Sequence, residues 1–135
     1  MAALRRLIRR RVPTEACGPP LRGAHVELLQ VVKKQPGIGI ASAGRALHLA
    51  ANSVSTLVNQ LVDAGLLHRE PDPADRRATR LEITAAARER MATWRRARTG
   101  LVADALAGLS EEDTAAIEQA LPALEKLMGI LKEQP

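Results

Sequence analysis

Apolar positions along this chain fall mostly into helical stripes, separated by turn-forming residues and broken once by two short alternating segments. Leu4, Leu7 and Ile8 share one face of residues 2–11, with arginines over the rest, which predicts a short helix ended by Pro13. Residues 12–20, with Pro13, Gly18, Pro19 and Pro20, read as a loop. Leu21, Ala24, Leu28, Val31 and Val32 recur at helical spacing and predict a second helix over 21–34, closed by Pro36-Gly37. A third, short helix is expected over 41–48, with Ala43, Ala46 and Leu47 inward, followed by a tight connection at 48–51. The fourth, over 52–64, turns Val54, Leu57, Val58 and Leu61 to the core and stops at Gly65.

The pattern then changes period. Leu66-Leu67-His68-Arg69 and Arg80-Leu81-Glu82-Ile83 read as two strands. The polar, turn-rich connection over 70–79 is long for a hairpin, and long ordered loops are often functional. Thr84 is a suitable N-cap for a long helix over 85–107, with Met91, Trp94, Leu101, Val102, Ala105 and Leu106 as its buried positions. Ser110-Glu111-Glu112-Asp113 resembles a capping box opening a last helix over 111–132. Its apolar stripe is Ile117, Leu121, Leu124, Leu127, Met128 and Leu131; Pro122 either kinks this helix or restarts it. The element order predicts a mainly α fold with a small two- or three-stranded β-wing, a winged helix-turn-helix.

Charge sharpens that picture. Residues 1–100 carry 18 Lys and Arg against 8 Asp and Glu, whereas residues 101–135 carry 2 against 7. A basic body with an acidic tail implies a polyanionic partner on one side of the molecule. Trp94 is the single aromatic residue, which disfavours modules that stack unpaired bases and leaves duplex DNA as the better fit. No apolar run reaches the roughly 18–20 residues that cross a bilayer, and the arginine-rich start lacks the apolar segment of a signal peptide, so a cytoplasmic protein with no membrane partner is expected. Cys17 is the one cysteine, which excludes an internal disulfide and a cysteine-only metal cluster. His25, His48 and His68 are scattered without ligand spacing, and no nucleophile elbow or phosphate loop occurs. Neither an enzyme, nor a metal site, nor a cofactor is expected.

The candidate site is the fourth helix with the loop after it. From Ala50 to Val62 the chain carries no charge, whereas an ordinary solvated helix face would carry Lys and Glu. Asn52, Ser53, Ser55, Thr56, Asn59 and Gln60 are short and neutral, suited to base edges in a major groove, and asparagine suits the paired acceptor and donor of adenine. In the loop, Arg77 is the candidate for insertion into a narrow minor groove, with Arg76 and Arg80 on phosphates. Asp75 is expected to pair with an arginine and fix the turn. The arginines Arg5, Arg6, Arg9, Arg10 and Arg11 fit a solvated helix face better than a phosphate-binding one.

These segments carry a family resemblance. Residues 21–84 resemble the multiple antibiotic resistance regulator (MarR) family, through Ser53-Val54-Ser55-Thr56-Leu57-Val58-Asn59-Gln60-Leu61, Ala64-Gly65-Leu66-Leu67-His68-Arg69 and, most specifically, Asp72-Pro73-Ala74-Asp75-Arg76-Arg77-Ala78-Thr79-Arg80-Leu81-Glu82-Ile83-Thr84. Asp75 and Arg77 match the Asp-x-Arg wing of the family, and the helices after residue 84 match in length and order. The resemblance implies a homodimer: an N-terminal helix and loop (1–20) and C-terminal helices (85–135) for dimerisation, and a DNA-binding head (21–84). It implies a repressor on a pseudo-palindromic operator, released by a small amphipathic or phenolic effector. Peroxide sensing through an N-terminal cysteine, known in the family, is not expected of Cys17, because no tyrosine is present to support a thiolate. The sequence departs from the family in its short, proline-interrupted start, in Ala43-Gly44, and in Ala50, which replaces a polar N-cap before the recognition helix. The rival reading is a winged-helix protein–protein module without DNA binding.

Overall fold

A computed structural model describes residues 2–12, 21 and 23–133. The expected loop beyond Val12, with Cys17 inside it, lies outside the described residues. The elements are α1 (Ala2–Arg11), α2 (Gly23–Lys34), β1 (Ile38–Gly39), α3 (Ile40–Leu47), α4 (Ala51–Asp63), β2 (Leu67–Pro71), β3 (Thr79–Ile83), α5 (Ala85–Ala107) and α6 (Glu111–Glu133). They fall into two compact units, one within residues 13–96 and the other within 1–12 and 97–135, divided inside α5.

The first unit is built on one apolar core. Leu28 and Val32 of α2, Val54, Val58 and Leu61 of α4, Ala43 of α3 and Leu81 of β3 are fully buried. Each leucine so buried stabilises the fold by about 1.5–3 kcal/mol relative to leaving it exposed. Leu29 also joins this core, although the periodicity points only to its neighbour Leu28, and Leu57, expected inward, packs at its edge. In α3 the inward residues are Ala43 and Gly44, while Ala46, expected inward, is exposed. The reason is the tight α3–α4 turn. His48 closes α3 at φ 54°, the Leu49 amide donates to the Gly44 carbonyl at 2.9 Å, and a Cβ on Gly44 would stand 2.9 Å from the Leu49 carbonyl oxygen. Gly65 ends the next helical segment at φ 71°, a conformation that favours glycine.

The sheet is three-stranded and antiparallel, in the order β1-β3-β2. β3 pairs Leu81 with Ile38 on one side and with Arg69 on the other, so Leu81 sits in the middle strand. The wing strands are longer than expected: β2 reaches Pro71 and β3 starts at Thr79, which shortens the intervening loop to residues 72–78. Thr84 caps α5 as expected. Its hydroxyl accepts from the Ala87 amide at 3.0 Å and donates to the Gly65 carbonyl at 2.8 Å, tying the start of α5 to the end of α4. Ala87, not anticipated, is the buried residue of α5; Met91 and Trp94 are half-buried.

In the second unit, α6 opens as expected on Ser110, whose Oγ accepts from the Asp113 amide at 3.0 Å and donates to its carboxylate at 2.9 Å. The helix runs through Pro122 without a restart. Its apolar stripe is exposed: Ile117, Leu121, Leu124, Leu127, Met128, Ile130 and Leu131 are each 42–59% accessible, and Leu4 and Leu7 of α1 are also exposed. In the distal part of α5, Leu101, Val102 and Leu106 are half-buried and Ala105, expected inward, is exposed. No helix among the described residues is long and apolar enough to cross a membrane. Among those residues, no group of three or more His, Cys, Asp or Glu side chains could hold a metal ion.

Candidate nucleic-acid interface

Helix α4 is amphipathic by the sequence rule already visible in residues 51–63. Val54, Val58 and Leu61 face the core, and Asn52, Ser53, Thr56, Asn59 and Gln60 are exposed, with Ser55 half-exposed. Its N-cap, Ala50, offers no side-chain acceptor. Asn52 compensates in part: its Oδ1 accepts from the Ser53 amide at 2.8 Å, satisfying one of the otherwise orphaned first-turn donors. Ser55 Oγ donates to the Ala51 carbonyl at 2.9 Å and Thr56 Oγ1 to the Asn52 carbonyl at 3.1 Å. Both hydroxyls are thereby oriented by the helix itself, with oxygen lone pairs left to accept from a ligand.

The distal part of the face is tied to neighbouring elements. Gln60 Oε1 is 2.7 Å from His25 Nε2 of α2. His25 is buried, and its Nδ1 has no partner. Gln60 therefore anchors α4 against α2, and its amide oxygen is already used. The Arg69 guanidinium of β2 donates to Asn59 Oδ1. Neither His25 nor Arg69 was legible as a site residue, because both partnerships cross from one element to another. For Arg69 the signal available is strand alternation, which puts it on the same sheet face as Leu67 and as the cross-strand neighbours Leu81 and Ile83.

The wing tip is braced by a repeated turn. Asp72 Oδ1 accepts from the Ala74 amide at 2.9 Å, and its carbonyl accepts from the Asp75 amide at 3.2 Å. Three residues on, Asp75 Oδ1 accepts from the Arg77 amide at 3.0 Å and its carbonyl from the Ala78 amide at 2.9 Å. The Asp72 amide closes the loop onto the Ala78 carbonyl at 3.0 Å. Both aspartates thus build Asx-type turns. Asp75 does fix the turn, but through the backbone of Arg77 rather than through a guanidinium as expected, because the residue two positions on presents its backbone amide within the carboxylate's reach. Asp72, spaced three residues before Asp75, repeats the device and was not singled out. Arg76 and Arg77 are exposed, and among the described residues neither guanidinium has a partner.

Arg80 is not part of the tip. It is half-buried, with its guanidinium against Gly37, where a Cβ would stand 2.8 Å from Arg80 Nε. Gly39 is its partner in β1. Arg45 of α3 is exposed and its guanidinium donates to Ser42 Oγ at 2.8 Å.

The model of the MarR family matches residues 20–78, which span α2, α3, α4, β2 and the wing loop. That segment is similar to the MarR family. A protein of Thauera aromatica named as a transcriptional regulatory protein for the hcr operon is 34% identical over 84 residues, covering 62% of this chain. The chain spans about half, 48%, of that relative's length. Two solved structures share the fold over nearly the whole chain. YusO from Bacillus subtilis has a TM-score of 0.77 at 20% identity, with 93% of this chain and 89% of that one covered. FabT from Streptococcus pneumoniae, solved in complex with DNA, has a TM-score of 0.70 at 20% identity, with 96% and 92% covered. The fold is thus that of a winged helix: α3 and α4 form the helix-turn-helix, and β2 and β3 form the wing.

Proposed function

We propose that this chain, whose head is similar to the MarR family, is a dimeric, sequence-specific DNA-binding transcriptional regulator, a ligand-responsive repressor of a pseudo-palindromic operator. The observation that carries the reading is the pairing of an exposed, uncharged face on α4 with two unpartnered arginines on a braced wing tip. Helix α4 enters the major groove, where Asn52, Ser53, Ser55 and Thr56 meet base edges and nearby phosphates. Arg77 enters the minor groove, held at its backbone by Asp75, and Arg76 lies on phosphate. Gln60 and Arg80 act from behind, positioning α4 and the wing.

Residues 21–84 are the DNA-binding head. Residues 1–20 and 85–135 dimerise, which accounts for the exposed apolar stripe of α6 and for Leu4 and Leu7: burying them against a second copy removes apolar surface from water. Two symmetric heads set half-sites about one helical turn, roughly 10–10.5 bp, apart. Control by a small amphipathic or phenolic effector follows from the family likeness. The relative named as a regulatory protein for the hcr operon and the neighbour solved with DNA support the regulatory reading.

Duplexes selected from a random pool supply the probe. Arg77→Ala weakens binding to the selected duplex by about 1–3 kcal/mol by fluorescence anisotropy. Unchanged affinity removes Arg77 from the interface, and failure of the wild-type chain to enrich any duplex removes the DNA reading altogether.

A further inference from the structure

Asn59 lies on the exposed face of α4 at helical spacing from Asn52, Ser55 and Thr56, so all four side chains line one side of the helix. Free asparagine reads adenine with both ends of its amide: Nδ2 donates to N7 while Oδ1 accepts from N6. In this molecule Oδ1 is occupied by the Arg69 guanidinium. The assignment of the amide is not open to exchange of its two ends, because arginine carries donors only and must meet the oxygen. Among the described residues, no hydrogen bond engages Asn59 Nδ2. One lone pair of Oδ1 remains, so what the pair offers outward is donors in excess of acceptors: the Asn59 amide hydrogens and the unused guanidinium hydrogens of Arg69, which is itself exposed.

Resting on the DNA-reading function above, we propose that Asn59 and Arg69 form one specificity-determining unit that reads guanine. Guanine is the base that presents two adjacent acceptors, N7 and O6, in the major groove. Adenine would set its N6 donor against the donors of the pair, and cytosine would do the same with N4. The wing strand thereby edits the recognition helix. A residue on β2, ten positions away in sequence, engages the acceptor by which Asn59 would otherwise select adenine and sets a cation beside it. The pairing is between two exposed side chains, so it does not hold the core together, and its consequence lies in what the surface presents.

The test is duplex selection from a random pool by the full chain, run in parallel for wild type, Asn59→Ala, Arg69→Ala and Arg69→Lys. Asn59→Ala identifies the base position concerned, as the one whose preference is lost. At that position the wild-type chain selects guanine, and by anisotropy on matched duplexes prefers it to adenine by about 5- to 150-fold, the range of one good bidentate contact. Arg69→Ala releases Asn59 Oδ1 and moves the preference to adenine there, leaving the other positions unchanged. Arg69→Lys, which still supplies only donors, keeps guanine. Circular dichroism of each variant matching wild type shows that the fold is retained. An identical motif for wild type and Arg69→Ala, or adenine selected by the wild-type chain, overturns the proposal while leaving DNA binding intact. A wild-type chain that enriches no motif overturns it together with the function on which it rests.

Discussion

Leu81→Ala lowers the unfolding free energy by about 2–5 kcal/mol, the cost of a leucine-to-alanine cavity in a core that cannot fully collapse. Leu81 is completely buried, in the middle strand of the sheet, with β1 and β2 hydrogen-bonded on either side. Backbone pairing on both edges restrains β3 from moving into the space left behind, which places the site at the costly end of that range. Small domains are stable by only about 5–15 kcal/mol, so a loss of this size takes a large part of the whole. In urea the unfolding midpoint falls while the slope is unchanged, as measured by circular dichroism. A loss below about 1 kcal/mol is incompatible with Leu81 as the keystone of the winged head.

Thr56→Glu strongly weakens DNA binding without disturbing the fold. Thr56 is exposed, and its one recorded bond is the local one to the Asn52 carbonyl. Glutamate is the better helix former, so α4 is retained or strengthened. A carboxylate on this face meets phosphates and base acceptors, and like charges brought together at an interface cost several kcal/mol. Affinity for a selected duplex drops by about a hundredfold or more, at an unchanged dichroism spectrum. Affinity within twofold of wild type places this face of α4 away from DNA.

The helices were largely legible because their boundaries are local chemistry. Thr84 and Ser110 supply hydroxyls that only a helix start uses in this way, Gly65 supplies a left-handed stop, and Val54, Val58 and Leu61 set the period. What escaped is non-local or too short to carry a period. Strand β1 is two residues, Ile38 and Gly39, and becomes a strand only because β3 is there to pair with it. Ala46 and Gly44 exchange roles because the Leu49 backbone comes too close to Gly44 for a side chain. In the candidate site the residue types were readable, but their tethers were not. Asn59 is bound to Arg69, Gln60 to His25, and Arg80 lies over Gly37, each by packing between separate elements. Asp75 was readable as a brace, while its partner is an amide rather than a guanidinium. The exposed stripe on α6 was readable as apolar, and its lack of cover emerges only from the folded chain.

The most direct test of the central claim is the salt dependence of affinity for duplex DNA. Each phosphate neutralised by a lysine or arginine releases condensed counterions, so the logarithm of the binding constant falls with that of the salt concentration, with a slope of about −0.9 per contact. With Arg76 and Arg77 unpartnered on each wing, and basic residues prevailing over acidic through residue 100, the account predicts a steep line. For about 6–10 contacts across two heads, affinity falls by about 10³–10⁵ between 50 and 200 mM salt. A flat line, or no measurable affinity at low salt, contradicts the DNA-binding account and leaves the winged helix as a protein-binding module.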